Sequence, residues 1–426
     1  MELTILAVGD LHLGAAPSRL PAPLAARAEE LGAAAVWRRI VDQAISRQVH
    51  AVVLAGDLVE DEDDFFEAYR ELAQGVERLV AANIRVLGIV GNHDVKVLPR
   101  LADQIAGFEL LGRNGQWQTL TLSQGSESLT LHGWSFPQKQ VSYSPLAGIR
   151  FEQGPGVNLG LLHGDRDQPQ SPYAPVSSPE LAGAALDGWL LGHIHKPDAL
   201  TAPHPSGYLG SATGLHPGES GPRGPWLLTV SGGTVSAMEH WLIAPLHWQP
   251  LAVDLTGIGH EDDARERLME ALSELDKTLN QRPLAPEAVA LRVTFNGRSD
   301  LAARVQSLMQ GEDLQHLSAG TLRIHYFIES LIYAIEPVLP LETLAQRSDP
   351  VGLLAQRLLL LQQPGHDPQR QHLLTQARQQ MLAQQQRSWW QALDNPPPDD
   401  EAVAHWLWQA GLLALEQLLA QKGSAQ

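Results

Sequence analysis

Five short apolar runs in the first half of the chain end on residues that can hold a metal ion or move a proton. Residues 3–10 read LTILAVGD and continue into LH; 51–57 read AVVLAGD; 85–94 read RVLGIVGNHD; 157–164 read VNLGLLHG; 188–195 read GWLLGHIH. The polar residues gathered this way are Asp10, His12, Asp57, Asn92, His93, His163, His193 and His195. Side chains at i and i+2 of an extended stretch point to the same side, so His193 and His195 would sit together at a strand mouth. An HxH alone is more often a pair of surface histidines beside a turn. Five strand ends carrying hard ligands are much stronger evidence. Seven of the eight residues can be divided between two adjacent cations, with one carboxylate bridging and imidazoles and an amide filling the other positions. That arrangement suits hydrolysis at phosphorus, where cations neutralise developing charge and activate the water that attacks.

The elements that must position these residues are legible too. Each run is short and apolar, the mark of a strand buried on both faces. Between the first three lie AAVWRRIVDQAIS and FFEAYRELAQGVERLVAA, which have helical character. The alternation predicts an α/β domain whose early strands are parallel, and such sheets bind ligands at the carboxyl ends of their strands. LLTVSGG and TVSAMEHWLI, within a Gly- and Pro-rich stretch, predict a closing hairpin. After WQPLAVDLTG the texture changes: a helix over about 261–281, the strand AVALRVTFNG, the helix LAARVQSLM and TLRIHYFIESLIYAIEP predict a second, smaller α/β module. From Leu341 the chain is Leu- and Gln-rich and reads as helical. Val351, Leu354, Leu358 and Leu361 share one face, as do Trp408, Leu412, Leu415 and Leu419. The expected domains are 1–245, 250–338 and 341–426, with NPPPDDE from Asn395 marking a fresh helix start.

Composition bounds the chemistry. With no cysteine among 426 residues, disulfides and thiolate sites are excluded, and a metal must be held by nitrogen and oxygen ligands that suit Mn, Fe, Mg or Zn. The start MELTILAVGDLHLG lacks a secretory pattern and no run is apolar enough to span a bilayer, so a cytoplasmic protein without membrane contact is expected. The net charge of −18 is unusual for a protein that binds nucleic acid through its own field, so such contact must be local, metal-assisted or shared with a partner.

GDLHLG, LAGD, GNHD, LLHG and GHIH, in that order, resemble the five motifs of the calcineurin-like metallophosphoesterase superfamily over roughly residues 1–240. The resemblance implies a four-layer α/β/β/α sandwich with a small α/β capping module and a C-terminal helical tail. It implies that Asp10, His12 and His195 bind one ion, that Asn92, His163 and His193 bind the other, and that Asp57 bridges. His93 would protonate the leaving oxygen or orient the phosphate, and the two divalent ions would be Mn2+. AVGDLHLG and GYLGSATGLHPGESGPRG resemble SbcD-type DNA repair nucleases, while HGDRD and SPYAPVSS resemble their YhaO-like bacterial subgroup. That branch implies DNA exonuclease or endonuclease activity by a two-metal-activated hydroxide. It also implies a cap that selects DNA, a tail docking on an SMC-like, SbcC-type ATPase, and a homodimer. Glu60 departs from archaeal and eukaryotic relatives, which place a histidine there, and the acidic run EDEDD at 60–64 is unfavourable for DNA phosphates.

Around this set, Arg166, Lys196 and Arg223 are candidate substrate contacts, Lys196 and Arg223 being expected as surface cations near the site mouth. Asp165, Arg166 and Asp167 read as a solvated turn, and His50, His132, His204 and His216 as structural or surface residues. Trp389–Trp390, Trp406 with Trp408, and the leucine faces fit either core filling or partner docking. The rival functions are a small-molecule phosphohydrolase, such as a cyclic-nucleotide phosphodiesterase, and a regulatory subunit of an ATPase complex.

Overall fold

The computed structural model describes residues 2–60, 65–311, 323–336, 338–385 and 399–423. Residues 1–335 form one compact unit and 336–426 a second. Of the stretches singled out above, Trp389–Trp390, residues 61–64 of the acidic run and 395–398 of NPPPDDE lie outside the described residues.

The first unit begins β1 (Leu3–Val8), α1 (Ala22–Ala25), α2 (Ala28–Leu31), α3 (Ala33–Arg47), β2 (Ala51–Leu54), α4 (Phe65–Ala81), β3 (Arg85–Gly88), α5 (Leu98–Gln104) and β4 (Phe108–Leu110). It continues with β5 (Gln118–Gln124), β6 (Glu127–Trp134), β7 (Val157–His163), α6 (Ser178–Gly183), β8 (Gly188–Gly192), β9 (Ser206–Tyr208) and the hairpin β10 (Trp226–Ser231) and β11 (Thr234–His240). Two sheets result, ordered β11-β10-β1-β2-β3-β4 and β5-β6-β7-β8-β9. As the alternation predicts, β1 through β4 are parallel.

Period-two alternation builds the layers. Leu3, Ile5 and Ala7 of β1 pack with Leu129, Leu131, Leu159, Leu161 and Leu190 of the second sheet, forming the core between the sheets. Leu6 and Val8 face the other way, into a core with Val36, Trp37 and Ile40 of α3 and Leu72 and Val76 of α4. On the far side of the second sheet, Leu162, Trp189 and Leu191 pack with Leu181 of α6. Helices, sheet, sheet and helix thus make the four layers, and α6 is fixed at its start by a reciprocal capping box between Ser177 and Glu180.

The smaller module starts at Leu246, because β12 (Leu246–Asp254) pairs along its whole length with β13 (Ala288–Asn296). α7 (Asp263–Asn280) and α8 (Ala302–Gly311) lead into β13 and β14 (His325–Tyr333), and all three strands are parallel. Val289, Leu291, Val293 and Phe295 face the helices. Ala288, Ala290 and Trp248 face the other way and cover Leu24 and Leu31 of the first domain.

The second unit holds α9 (Leu341–Leu344), α10 (Pro350–Leu361), α11 (Pro368–Gln385) and α12 (Asp400–Gly423). The leucine faces of α10 and α12 pack on each other through Val351, Leu358, Leu412 and Leu415, so they are core within this unit. Among the described residues no helix is long and apolar enough to cross a membrane.

Candidate metal centre

The loops that leave β1, β2, β3, β7 and β8 converge. Leu11 and His12 both donate backbone N–H groups to Asp57 O at 3.0 Å, zipping the first two loops together. His12 and Asp57 sit at φ 51° and 49° and His193 at 101°, backbone that residues with a Cβ adopt only at a cost. Two glycines allow the close approach. A Cβ on Gly91 would lie 2.1 Å from Asp57 Oδ1, and one on Gly56, itself at φ 88°, would lie 2.7 Å from His163 Nδ1. Asp94, fully buried, braces the two loops by accepting from Gly91 N at 2.8 Å and from Leu58 N at 2.7 Å.

Beside a cluster of His12, Glu60 and His93, two sets built wholly from the five strand-end runs result. Asp10, His12 and His195 offer donor atoms within 4.8 Å of one another, and so do Asp57, His163 and His193. Asn92 Oδ1 joins the second set, 3.1 Å from His163 Nε2. The tautomers are set from outside. His163 Nδ1 donates to Ala55 O at 3.0 Å, which leaves its Nε2 as a lone pair aimed at Asn92 Oδ1 and, at 3.2 Å, Asp57 Oδ2. Glu219 holds His195 Nδ1, and Glu60 holds His12 Nδ1 at 2.6 Å, so the two Nε2 atoms meet at 3.0 Å. Asp10 Oδ2 is buried with no hydrogen-bond partner. With their rings neutral, these atoms turn lone pairs toward one another, and positive charge placed between them, such as a divalent cation, relieves the repulsion, so this donor set fits divalent cations.

Residues 3–197 match the family calcineurin-like phosphoesterase, and residues 248–335 match the middle domain of the metallophosphoesterase YhaO. Residues 3–197 are a calcineurin-like phosphoesterase domain. A Bacillus subtilis protein named uncharacterized metallophosphoesterase YhaO is 30% identical over 267 residues, 60% of this chain and 64% of its own length. A Methanosarcina mazei protein named DNA double-strand break repair protein Mre11 is 26% identical over 237 residues, 54% of this chain and 37% of its own. The chain therefore spans less than two-thirds of either relative. A solved dimetal phosphatase from Danio rerio is similar over 56% of this chain and 98% of its own, with 12% identity and a TM-score of 0.34.

Electrostatics in the phosphoesterase domain favour a cation as well. Burial opposes protonation of His163, yet Asp57 and Asp10 raise its pKa to about 9. His12 is likewise raised against its burial, by Glu60, Asp57 and Asp10. Burial works against the charge on Asp57, but His163, His12 and His93 together hold its carboxyl below the usual range. His193 is lowered, by burial and by His163.

The remaining candidates fall in different places. His93 donates its backbone N–H to Asp57 Oδ1 at 2.9 Å, stands edge-on to His12 and leaves its ring partly exposed. Arg166 pairs with Asp198 at 2.9 Å and lies over the Tyr208 ring, and Lys196 is exposed. Arg223 is not the surface cation expected. It is 2% exposed, and it donates to His195 O and to Ser211 Oγ, because the loop that carries His195 folds over it. The turn after His163 is tied down: Asp165 lies 3.4 Å from His193 Nε2, and Asp167 accepts from Ser178 N at 2.7 Å. His50 accepts from Thr4 N and His132 bonds Asn158, structural roles both.

Sequence reasoning missed Glu219, Asp94 and Trp248 as supports of the centre. Glu219 accepts from Leu215 N at 2.6 Å as well as from His195. Its loop is held by the smaller module: Trp248 Nε1 donates to Gly214 O at 3.0 Å, and Trp248 O accepts from Gly221 N at 3.1 Å.

Proposed function

We propose that the chain is a metal-dependent phosphodiesterase that hydrolyses DNA phosphodiester bonds, working in DNA repair with an SMC-like ATPase partner. The observation that carries the hydrolytic part is the pair of ligand sets with inward-facing lone pairs. Similarity to proteins named for DNA double-strand break repair supports DNA as the substrate.

In this reading Asp10, His12 and His195 hold one ion, Asn92, His163 and His193 the other, and Asp57 bridges, with Mn2+ the proposed species. When bound, the pair supplies Lewis acidity at the phosphoryl oxygens and a water of lowered pKa. The chain does the rest. Glu219 fixes which ring nitrogen His195 offers, and the Glu60 carboxylate lies against Nδ1 of His12. His93 Nδ1 lies 3.2 Å from Glu60 O and its ring is partly exposed; as the imidazolium it would donate there while Nε2 gives its proton to the leaving oxygen. The net charge of −18 fits a division of labour in which a partner brings the strand.

The test is cleavage of end-labelled single- and double-stranded DNA with Mn2+, beside an aryl phosphodiester, EDTA and the variants Asp57→Asn and His93→Ala. DNA cutting lost in all three controls supports the proposal. Cutting of the aryl ester alone would replace DNA with a small phosphodiester as substrate.

A further inference from the structure

Away from the metal centre, a cavity of about 410 Å³ opens between the first domain and the smaller module. Its lining includes Arg27, Arg282, Arg323 and His325 against a single carboxylate, Glu287. That carboxylate is already engaged, by Arg39 at 2.7 Å and more loosely by Arg27 at 3.9 Å. Arg27 is in turn held by Glu30, with Nε to Oε2 at 2.8 Å. Arg282 and Arg323 have no carboxylate partner among the described residues.

Arg282 is the telling residue. It is half-buried, and its hydrogen bond goes to His247 Nδ1 at 3.4 Å. His247 is 2% exposed and neutral, its pKa pushed down to about 3 by burial and by Arg282 and Arg39. A desolvated guanidinium with only a neutral acceptor is costly unless a counter-charge arrives. The end of α7 at Asn280 accounts for a cation near this turn. It does not account for Arg323, which enters from the start of β14. Two unpaired planar forks facing one cavity match the oxygens of a phosphoryl group.

We infer that this cavity binds a phosphoryl oxyanion, carried by a phosphorylated small molecule of nucleotide size, at a site separate from the metal ligands. The volume lies within the ordinary range for such ligands, roughly 300–1,000 Å³.

Phosphate also binds metal centres, so the experiment uses the full chain stripped with EDTA, which keeps it independent of the catalytic proposal. Calorimetry would titrate inorganic phosphate, pyrophosphate, a 5′-mononucleotide and a short oligonucleotide without terminal phosphates. One binding site per chain is expected, weakened about tenfold, or about 1.4 kcal/mol, by Arg323→Glu. That residue is exposed, so the substitution leaves the core intact; Arg282→Gln should weaken binding similarly. Binding of the free phosphates supports a small ligand. Binding of the oligonucleotide alone, lost in both variants, keeps the oxyanion site and assigns it to strand phosphates. No binding at millimolar concentration, or affinity unchanged in either folded variant, overturns the inference.

Discussion

His12 and His195 meet Nε2 to Nε2 at 3.0 Å, each with its other ring nitrogen against a carboxylate. The carboxylates are what orient the pair. Glu219→Gln keeps one acceptor for either Leu215 N–H or His195, but it loses the charge that serves both. Metal affinity should fall about 10- to 100-fold at one of two sites. A Mn2+ titration checks this, and two unchanged sites would refute it.

The smaller module should tune the same site through Trp248. Trp248→Phe keeps most of the buried ring but leaves Gly214 O without its donor, at a cost of about 1–3 kcal/mol. Thermal unfolding should report that loss, and Mn2+ affinity should fall with it because Glu219 is on the loosened loop. Normal affinity in a destabilised variant would limit Trp248 to packing.

Gly91→Ala tests the close approach of the second and third loops. The new methyl cannot share space with Asp57 Oδ1, so the carboxylate must move. Loss of bound metal with native circular dichroism is expected. Full metal stoichiometry would mean that the loop yields instead.

Asp94→Asn probes the brace between those loops. One of the N–H groups of Gly91 and Leu58 would face an amide N–H, leaving a buried donor unsatisfied at about 1–3 kcal/mol. A denaturation midpoint that did not move would show that the loops hold without it.

Acid should loosen the module around His247. Its folded pKa of about 3 lies below the ordinary value near 6.5, so between the two the unfolded chain binds more protons. Stability is then lost as pH falls through that window, by up to about 1.4 kcal/mol per pH unit. His240, lowered to about 4 by burial, adds to the slope in the upper part of the same window. Urea midpoints from pH 4 to 7 should show a shallower slope for His247→Gln than for the unaltered chain, and equal slopes would contradict the assignment.

The convergence of these side chains was readable because strand-end residues able to ligate a metal announce themselves locally: an apolar run, a glycine, then Asp, Asn or His. The parallel order of β1 to β3 followed from the helices between them. The supports were not readable. Glu219 lies 24 residues from His195, and Asp94 lies 36 from Leu58, separations set only by the fold. Arg223 was misplaced for the same reason: a charged residue in a Gly-rich stretch reads as surface, and only the closed loop shows it buried with Nη1 donating to His195 O and Ser211 Oγ. The start of the smaller module was set four residues late because β12 carries Pro250 and Gln249, which do not resemble a strand until β13 lies beside it.

The left-handed backbone at His12, Asp57 and His193 has a bearing on descent. Glycine would rest there more easily, by about 1–2 kcal/mol per position, so a lineage released from hydrolysis would gain robustness by admitting it. A descendant with glycine at those three places and an intact sandwich would be recognisable as a retired enzyme. This chain carries two histidines and an aspartate there instead, at a standing cost to its own fold.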